Sequence, residues 1–297
     1  MATMDRRERR ALELVLEAFG PDALVQRLDT RPMTPAERLR ARLAAEACVE
    51  GCTACALHAA RGGACERPLV PLWSPHRLPA EGRVAVLVDA PTIEEHRAGQ
   101  LGRGPLWRVV RQALTDGGIA PERISYLTTV ACTPLTQTLR DVARVPPARE
   151  HVDACTANVM RSLLAADVQY VLLLGGHATR VWRPDLRLAD VAGKWFVWEG
   201  KWMVFPAEHP RVMFGGRAHD KEAAEWGESV RRFSRGVCDG VGLEALSTTC
   251  IVSGCREPFH AWDDDGVPWC ATHLRPARLT RDSRKRKTLD TAQGTLL

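Results

Sequence analysis

The stretch VAVLVDAPTIEEH, from Val84 to His96, sets the problem that this sequence poses. Its apolar residues alternate with small ones and predict a buried strand of a parallel sheet. The strand then runs directly into an acidic residue, a proline and two glutamates. In open α/β sheets the carboxyl ends of the strands are where ligands bind. The loop that begins Asp89-Ala90-Pro91 is therefore predicted to lie at a ligand site.

Strands and helices are predicted to alternate outward from this loop. The predicted strands are 84–89, 124–131 and 168–175, the predicted helices are 104–116, 148–166 and 221–233, and a hairpin of residues 195–198 and 202–205 precedes the last helix. Such alternation is typical of a parallel sheet with helices on both faces. The sequence therefore predicts an α/β fold, a three-layer αβα sandwich with a mostly parallel central sheet.

Composition divides the chain into four parts. Residues 1–47 have helical periodicity, with Thr34 and Pro35 as the N-cap and first-turn residues of a helix. Beyond Gly236 the sequence becomes rich in Cys, Asp and Gly. We place a helical N-terminal segment at 1–47, the α/β domain at 48–236, a small cysteine-rich C-terminal module at 246–276 and a basic disordered tail at 277–297.

The charge of the chain is modest in total and uneven along it. The 41 Lys and Arg residues exceed the 36 Asp and Glu residues for a formal charge of +5, and RDSRKRK at 281–287 concentrates positive charge. Such a tail suits nucleic acid, and a solvated tail without a partner is an equal alternative.

No run of about 18 apolar residues occurs, and the charged start is unlike a signal peptide. We expect a soluble, intracellular (cytoplasmic) protein without membrane association.

Four of the ten cysteines form a first candidate metal site. Cys52 and Cys55 make a CxxC pair, Cys132 follows the second predicted strand, and Cys155 lies in the next helix. Four thiolates suit either a tetrahedral zinc ion or an iron-sulfur cluster, and spacing alone does not choose between them. The alternative is that the isolated cysteines are small core residues.

A second candidate metal site lies in CIVSGCREPFHAWDDDGVPWCATH. It supplies the ligand set Cys250, Cys255, Cys270 and His273. A segment this short has too little core to fold alone, so zinc binding would supply its folding free energy. It resembles the small zinc modules that accompany many DNA-acting proteins, and the alternative is a loop with incidental cysteines.

Taken together, these stretches resemble the uracil-DNA glycosylase superfamily, and most of all its iron-sulfur members. The CxxC pair precedes the first strand, VDAPT follows that strand, and Cys132 and Cys155 lie in YLTTVACTP and HVDACTANVM. VQYVLLLGGHATRVW and AEHPR, which contains His209 and Pro210, complete the order of motifs. The resemblance covers about residues 50 to 235. It implies DNA as the partner, a [4Fe-4S] cluster on the first four cysteines, and a Zn²⁺ ion on the second set.

The resemblance also implies the chemistry of base excision. An enzyme that cuts the bond between base and sugar extrudes the nucleotide from the stack and holds it in a pocket. His209 would donate a hydrogen bond to the departing base, and Asp89 or Glu95 would position the water. Further substrate-binding candidates are Ala90, Pro91, Thr128, Thr129, Pro210 and Arg211, with Met213 and Phe214 as a wedge between bases. The alternative for Met213 and Phe214 is packing against the next helix.

Several positions depart from the family pattern. Val88 and Thr92 stand where the motif has glycines, and Asp89 replaces the usual glutamate. The family's stacking aromatic falls near Gly102, and Trp107 would substitute for it only if the loop differs from that of the family. Thr128 or Thr129 replaces the asparagine that contacts uracil, and Arg211 replaces a serine. A single hydroxyl cannot make the two-way contact of an amide, so an altered base preference is expected.

Two functions remain open from the sequence. The first is a monomeric DNA glycosylase that flips and excises a uracil-like, deaminated or modified base by hydrolysis of its N-glycosidic bond. The second is a catalytically lapsed protein of the glycosylase fold that binds DNA without turnover. Asp89 and His209 favour the first function, whereas the missing aromatic and asparagine favour the second. A zinc-dependent hydrolase is a weaker third alternative, since neither candidate metal site has an evident open ligand position.

Overall fold

The computed structural model describes residues 33–59, 68–75, 77–78, 83–137, 142–198, 201–214 and 220–241, together with two short strands at 259–262 and 268–270. The predicted helical periodicity of residues 1–32 and the basic tail at 277–297 lie outside the described residues. Among the described helices, none is both long enough and apolar enough to span a membrane.

A five-stranded sheet forms the centre of the fold. Its strands are β1 (Val84–Val88), β2 (Ile124–Thr128), β5 (Tyr170–Leu174), β6 (Phe196–Trp198) and β7 (Trp202–Ala207), in the order β2-β1-β5-β7-β6. The first four in this order are parallel, and β6 is antiparallel to β7 at one edge. Two small antiparallel pairs lie outside this sheet: β3 (Leu135–Gln137) with β4 (Val142–Arg144), and β8 (Phe259–Trp262) with β9 (Pro268–Cys270).

Eight described α-helices accompany the sheet. They are α1 (Pro35–Glu50), α2 (Ala56–Ala59), α3 (Ile93–Ala98), α4 (Gly104–Asp116), α5 (Arg149–Ala166), α6 (Gly176–Trp182), α7 (Leu188–Val191) and α8 (Asp220–Asp239). Helices α5 and α6 pack on one face of the sheet, where Leu87 and Leu173 are fully buried. Helices α4 and α8 cover the other face, around Val86 and Phe205. The predicted three-layer αβα sandwich is confirmed.

The N-terminal helix α1 is an integral part of this sandwich. Thr34 caps it, since its hydroxyl accepts the Glu37 N–H while the Glu37 carboxylate accepts the Thr34 N–H. The helix packs against α5 and continues to Glu50. Buried Arg38 donates to Asp167 at 2.7 Å, just ahead of β5. This ion pair therefore joins α1 to the amino edge of the sheet.

Element boundaries differ from the prediction at several ends. The first three predicted strands are one to three residues shorter at their carboxyl ends, because the chain leaves the ladder where the site loops begin. Helix α8 continues to Asp239, so Gly236 lies inside a helix. The absence of a side chain at Gly236 matters, since a Cβ there would come within 2.6 Å of the Trp195 ring.

The C-terminal module is described only in part. The pair β8 and β9 lies within the predicted module and ends at Cys270. Cys250, Cys255 and His273 lie outside the described residues. The zinc site proposed from the sequence therefore stays a prediction.

The order of the strands fixes where a ligand can bind. From β1 the chain moves to β2 on one side, and from β2 it crosses to β5 on the other side of β1. This reversal creates a crevice outside the carboxyl ends of β1 and β5. The loops that follow β1, β5 and β7 all open toward that edge.

Candidate active site at the carboxyl edge of the sheet

Three strand ends bring the central residues of the site together. Asp89 follows β1, Gly175 follows β5, and His209 lies two residues beyond the end of β7. The Asp89 carboxylate and the His209 imidazole are in direct contact, with Oδ1 and Nε2 2.9 Å apart. Asp89 and His209 are 120 positions apart in the chain. The two residues proposed as catalytic from separate motifs therefore form one pair.

Asp89 is a buried anion with two charged or polar partners. Besides His209, the Arg144 guanidinium contacts the second carboxylate oxygen, with Nη2 and Oδ2 3.1 Å apart. Burial opposes ionisation, but the hydrogen bond from His209 and the charge of Arg144 outweigh it and hold the pKa of Asp89 well below its usual range. Asp89 is therefore negatively charged throughout the neutral pH range.

The contacts of His209 define which ring nitrogen carries the proton. The backbone N–H of Arg211 donates to Nδ1 at 3.0 Å, which requires a lone pair there. The proton therefore lies on Nε2, which donates to Asp89. Both nitrogens of the neutral imidazole are hydrogen-bonded, and the ring is held in one orientation.

Arg144 is a site residue that the sequence did not reveal. It lies on β4 and reaches back to the loop after β1, where it donates to the carbonyl oxygens of Pro91 at 3.0 Å and of Ala90 at 3.2 Å. Together with its contact to Asp89, this guanidinium binds three successive residues of the loop. No local pattern marks Arg144, because its partners lie more than 50 positions earlier.

Gly175 lies directly beside the His209 ring and leaves space for it. Its φ of +94° lies in the region that favours glycine. A Cβ at this position would come within 3.2 Å of both Cβ and Cδ2 of His209. The strand-to-helix turn therefore needs glycine both for its backbone conformation and for space beneath the imidazole.

Two adjoining cavities open beside the pair. The larger has a volume of about 580 Å³ and is lined by Asp89, Gly175, His177, His209, Arg211 and Phe214, among others. The smaller has a volume of about 280 Å³ and includes Ala90, Thr92, Leu106 and Arg144 in its lining. His209, Arg211 and Phe214 line both cavities and so form the wall between them.

Neither Thr128 nor Thr129 lines either of these two cavities, and Thr129 stabilises the loop. The Thr129 hydroxyl donates to the carbonyl oxygen of Asp89, and the Thr129 side chain is fully buried. Thr128 borders a separate small void near Cys155. The hydroxyls that stand near the family's asparagine position are therefore directed at the protein interior.

Glu95 is fully buried and caps the helix that follows the loop. Its carboxylate accepts from the Thr92 N–H at 2.9 Å and the Thr92 hydroxyl at 3.0 Å, and from the Gly102 N–H at 2.7 Å. Burial raises the pKa of Glu95 despite these hydrogen bonds. Glu95 lines neither of the two cavities. Its contacts support a structural role in fixing the loop between α3 and α4.

The remaining residues that the sequence predicts to contact the substrate divide into a buried group and an exposed group. Trp107 is fully buried and packs edge-on against Tyr126 at 4.4 Å between ring centroids, so it is not available to stack on a base. Pro210 is buried at the start of the short 3₁₀ helix Pro210–Phe214. Met213 and Phe214 are 39% and 50% exposed, which is unusual for large apolar side chains. They project from the same loop that carries His209 and Arg211.

The four cysteines of the first candidate metal site gather in one region. Cys132 and Cys155 are buried, and Cys52 and Cys55 are half-buried. Burial raises the pKa of the Cys155 thiol to about 12, with further contributions from Cys55, Cys132 and Cys52. Four thiolates are a suitable donor set for an iron-sulfur cluster. Within the part of the chain that the structure describes, no group of three His, Cys, Asp or Glu side chains is already arranged to hold a metal ion.

The fold and the site define a class of protein. It is a three-layer α/β protein with a buried carboxylate and an imidazole facing a cavity of about 580 Å³ at the switch point of a mostly parallel sheet. The family model for the uracil DNA glycosylase superfamily matches residues 75–226, just over half of the chain, and the chain belongs to that superfamily. A search of the curated proteins found no match.

Proposed function

We propose that this protein is a DNA glycosylase that hydrolyses the N-glycosidic bond of a uracil-like base, either deaminated or modified. The observation that carries the proposal is the buried, ionised Asp89, held by His209 and Arg144 at the edge of a cavity of about 580 Å³. A cavity of this size accommodates a small ligand such as an extruded nucleotide. The superfamily assignment supports DNA as the substrate.

Asp89 would stabilise the sugar as the bond breaks. Cleavage leaves positive charge on the deoxyribose, and a fixed anion in a buried position acts strongly on that charge. The same carboxylate would orient the attacking water. Arg144 would keep Asp89 and the following loop in place throughout the reaction.

His209 would stabilise the departing base. In the free protein its Nε2–H donates to Asp89. Water or sugar binding at Asp89 would compete for that carboxylate oxygen and leave the same N–H free to donate to an oxygen of a base placed beside it. A positioned donor of this type contributes about 10²- to 10³-fold to the rate. The Arg211 N–H would keep the imidazole in the required tautomer throughout.

Base preference would differ from that of a glycosylase specific for uracil. Among the described residues that line the two cavities, there is no Asn or Gln side chain. The phenyl ring of Phe214 lines both cavities. An amide pairs with both a donor and an acceptor on a base edge, and these cavities lack it. We therefore propose a deaminated or modified base as the substrate, with Phe214 stacking on it or filling the gap in the DNA.

The experiment is a strand-cleavage assay after alkali treatment. The protein is incubated with DNA that carries one uracil, hypoxanthine, xanthine or modified pyrimidine, beside Asp89→Asn and His209→Ala. The control is Asp153→Asn, a carboxylate that is 57% exposed and pairs with Arg149 at the surface. Alkali-labile sites made by the native protein and the control, and lost in both site variants, would establish the activity and its base. DNA binding without product on any base would instead support the lapsed alternative.

We further propose the cofactors and the assembly state that the sequence analysis predicted. Cys52, Cys55, Cys132 and Cys155 would hold a [4Fe-4S] cluster, which would serve as a structural link between α2, β2 and α5. Cys250, Cys255, Cys270 and His273 would hold a zinc ion. The protein would act as a monomer. Iron and zinc analysis of the purified protein, together with its mass in solution, tests these three proposals.

A further inference from the structure

Positive charge exceeds negative charge around the larger cavity. Asp89 is the one carboxylate among the described residues that line it. Arg211 lines the same cavity, and Arg144 and Arg180 lie close enough to act electrostatically on His177 in its lining. An excess of fixed cations beside a cavity favours an anionic ligand.

The negative charge of Asp89 is already compensated. Its two oxygens contact His209 and Arg144, at 2.9 Å and 3.1 Å. The exposed Arg211 side chain, by contrast, has no hydrogen bond or ion pair with any residue that the structure describes. A planar guanidinium in this position is suited to phosphate, which it contacts through two N–H groups.

His177 is the second residue of the cavity that lacks a partner. It follows β5 through Gly175 and Gly176 and lines the larger cavity beside His209 and Arg211. Its Nδ1 atom is buried and has no hydrogen-bond partner among the described residues. A buried polar atom without a partner destabilises the free protein, and a ligand that bonds to it removes this cost. His177 lies within the stretch VQYVLLLGGHATRVW, but the sequence alone predicts no role for it.

The groups that surround His177 keep it neutral in the free protein. Burial lowers the pKa of its imidazole, Asp89 opposes this effect, and Arg180, Arg144 and His209 add to it. Arg211, on the loop after β7, is a further cation at the same cavity. A phosphate placed between His177 and Arg211 would reverse this balance, since a nearby anion favours the charged imidazole.

We propose that His177 and Arg211 form a binding site for a backbone phosphate of DNA, and that His177 takes up a proton when the phosphate binds. This inference rests on the proposed function in that it takes DNA as the ligand. The phosphate would lie at the larger cavity, which His177 and Arg211 line and Arg144 does not. It would anchor the nucleotide whose sugar faces Asp89.

The proposal predicts that DNA affinity depends on pH. Since one proton is taken up on binding, affinity falls as pH rises through the range between the free and bound pKa values of His177. The limiting slope for one proton is about tenfold per pH unit. A phosphate contact also makes affinity fall as salt increases, so ionic strength is held constant.

The first experiment measures binding of a labelled DNA duplex by fluorescence anisotropy between pH 5.5 and pH 8. The native protein is compared with His177→Gln, which retains a polar side chain and cannot take up the proton. The control is His96→Gln, a histidine of α3 that lines neither cavity. We expect the native protein and the control to lose affinity by about three- to tenfold per pH unit over part of this range. His177→Gln should bind with a flatter pH dependence. Equal slopes for the native protein and His177→Gln would overturn the proposal.

The second experiment leaves the protein unchanged. Methylphosphonate groups, which carry no charge, replace in turn the phosphates that flank the target nucleotide. One replacement should weaken binding at pH 6 and remove most of the pH dependence, as His177→Gln does. If no replacement changes the slope, the phosphate site is disproved even where His177→Gln fails to fold.

The two proposals can fail separately. If no base is excised while binding depends on His177 and on one phosphate, the glycosylase proposal is wrong and the phosphate site stands. If a base is excised and the slopes of native protein and His177→Gln agree, the phosphate site is wrong and the glycosylase stands. If the native protein binds no DNA at any pH at low salt, both are wrong.

Discussion

Asp89 is ionised in a buried position because two neighbours replace the water that it has lost. His209 contacts one oxygen and Arg144 contacts the other. Of these two, only Arg144 brings a permanent charge. Arg144 therefore adds a fixed charge to the larger effect of the His209 hydrogen bond on the ionisation of Asp89, whereas His209 also has a proposed role toward the base.

Replacement of Arg144 by alanine should raise the pKa of Asp89, because burial would then act with less opposition. The protonated form is inactive in the proposed mechanism, so the acid limb of kcat/KM against pH should move to higher pH. Loss of a hydrogen bond to a charged group should also lower activity by about 10- to 100-fold at neutral pH. The profile is measured on the base identified by the cleavage assay.

Arg149→Ala is the control for this change. Arg149 is 69% exposed and pairs with Asp153 at the surface, so its removal should leave the profile in place. An acid limb that does not move in Arg144→Ala would show that Asp89 is not the group that titrates.

Glu95 offers a test between catalysis and structure. Its carboxylate accepts three hydrogen bonds in the loop and lines neither cavity. Glu95→Gln should therefore lower the free energy of unfolding by about 1–3 kcal/mol, because an amide group cannot accept all of these bonds. Activity per folded molecule should change by less than about threefold. A large loss of kcat at unchanged thermal stability would support the water-positioning role predicted from the sequence.

The residues of the site differ in how far the sequence predicts them. Asp89 and His209 belong to motifs at strand ends, and strand ends meet at one edge of a parallel sheet. Arg144 belongs to no such motif, and His177 lies within VQYVLLLGGHATRVW at a position for which the sequence alone predicts no role. Arg144 reaches the site from the β3–β4 pair, and His177 depends on the turn at Gly175. Such contacts depend on tertiary packing, which local periodicity does not encode.

At the scale of elements, the turn between β5 and α6 positions the imidazole. Gly175 has a φ of +94°, and its Cα faces the His209 ring. The next residue, Gly176, has no atom within 4 Å of where a Cβ would lie. Two adjacent glycines therefore have different structural roles.

Gly175→Ala should destabilise the protein by about 1–3 kcal/mol, because alanine is strained at this φ. It should also displace His209 and lower kcat more than it raises KM. Gly176→Ala is the matched control and should leave both stability and kcat near the native values. Thermal unfolding and steady-state kinetics on the three proteins provide the comparison. Equal stability and equal kcat in the two variants would show that the contact between Gly175 and His209 does not contribute to activity.

Regular elements were predictable where burial imposes a clear pattern. The fully buried strands Val84–Val88 and Tyr170–Leu174 consist of apolar residues bounded by polar ones, and the hairpin of β6 and β7 also lies where predicted. The short helix α3 and the β3–β4 pair were not predicted. Six residues are too few to show helical periodicity, and α3 begins where the Thr92 and Glu95 capping box fixes the chain.

At the scale of the whole molecule, the two edges of the sheet have different roles. The amino edge is tied by the ion pair of Arg38 and Asp167, and the carboxyl edge carries the cavities. The cysteines lie after α1, after β2 and within α5. A cluster there would join parts of the chain that are up to 103 positions apart and so would stabilise the whole domain rather than the site alone.

Cys155→Ala should therefore remove the iron together with its absorption in the visible range. Deletion of one buried sulfur by itself costs about 1 kcal/mol, or about 2–4 °C in Tm for a domain of this size. A larger drop in Tm is expected, because the link between helix α5, strand β2 and the CxxC pair is also lost. The control is Cys238→Ala, an exposed cysteine of α8 whose thiol contacts the Gly117 carbonyl at 3.8 Å. If Cys155→Ala unfolds no more than about 2–4 °C below Cys238→Ala and the native protein contains no iron, the four cysteines form no iron-sulfur cluster. Cys132 and Cys155 are then core residues, which is the alternative that their burial also allows.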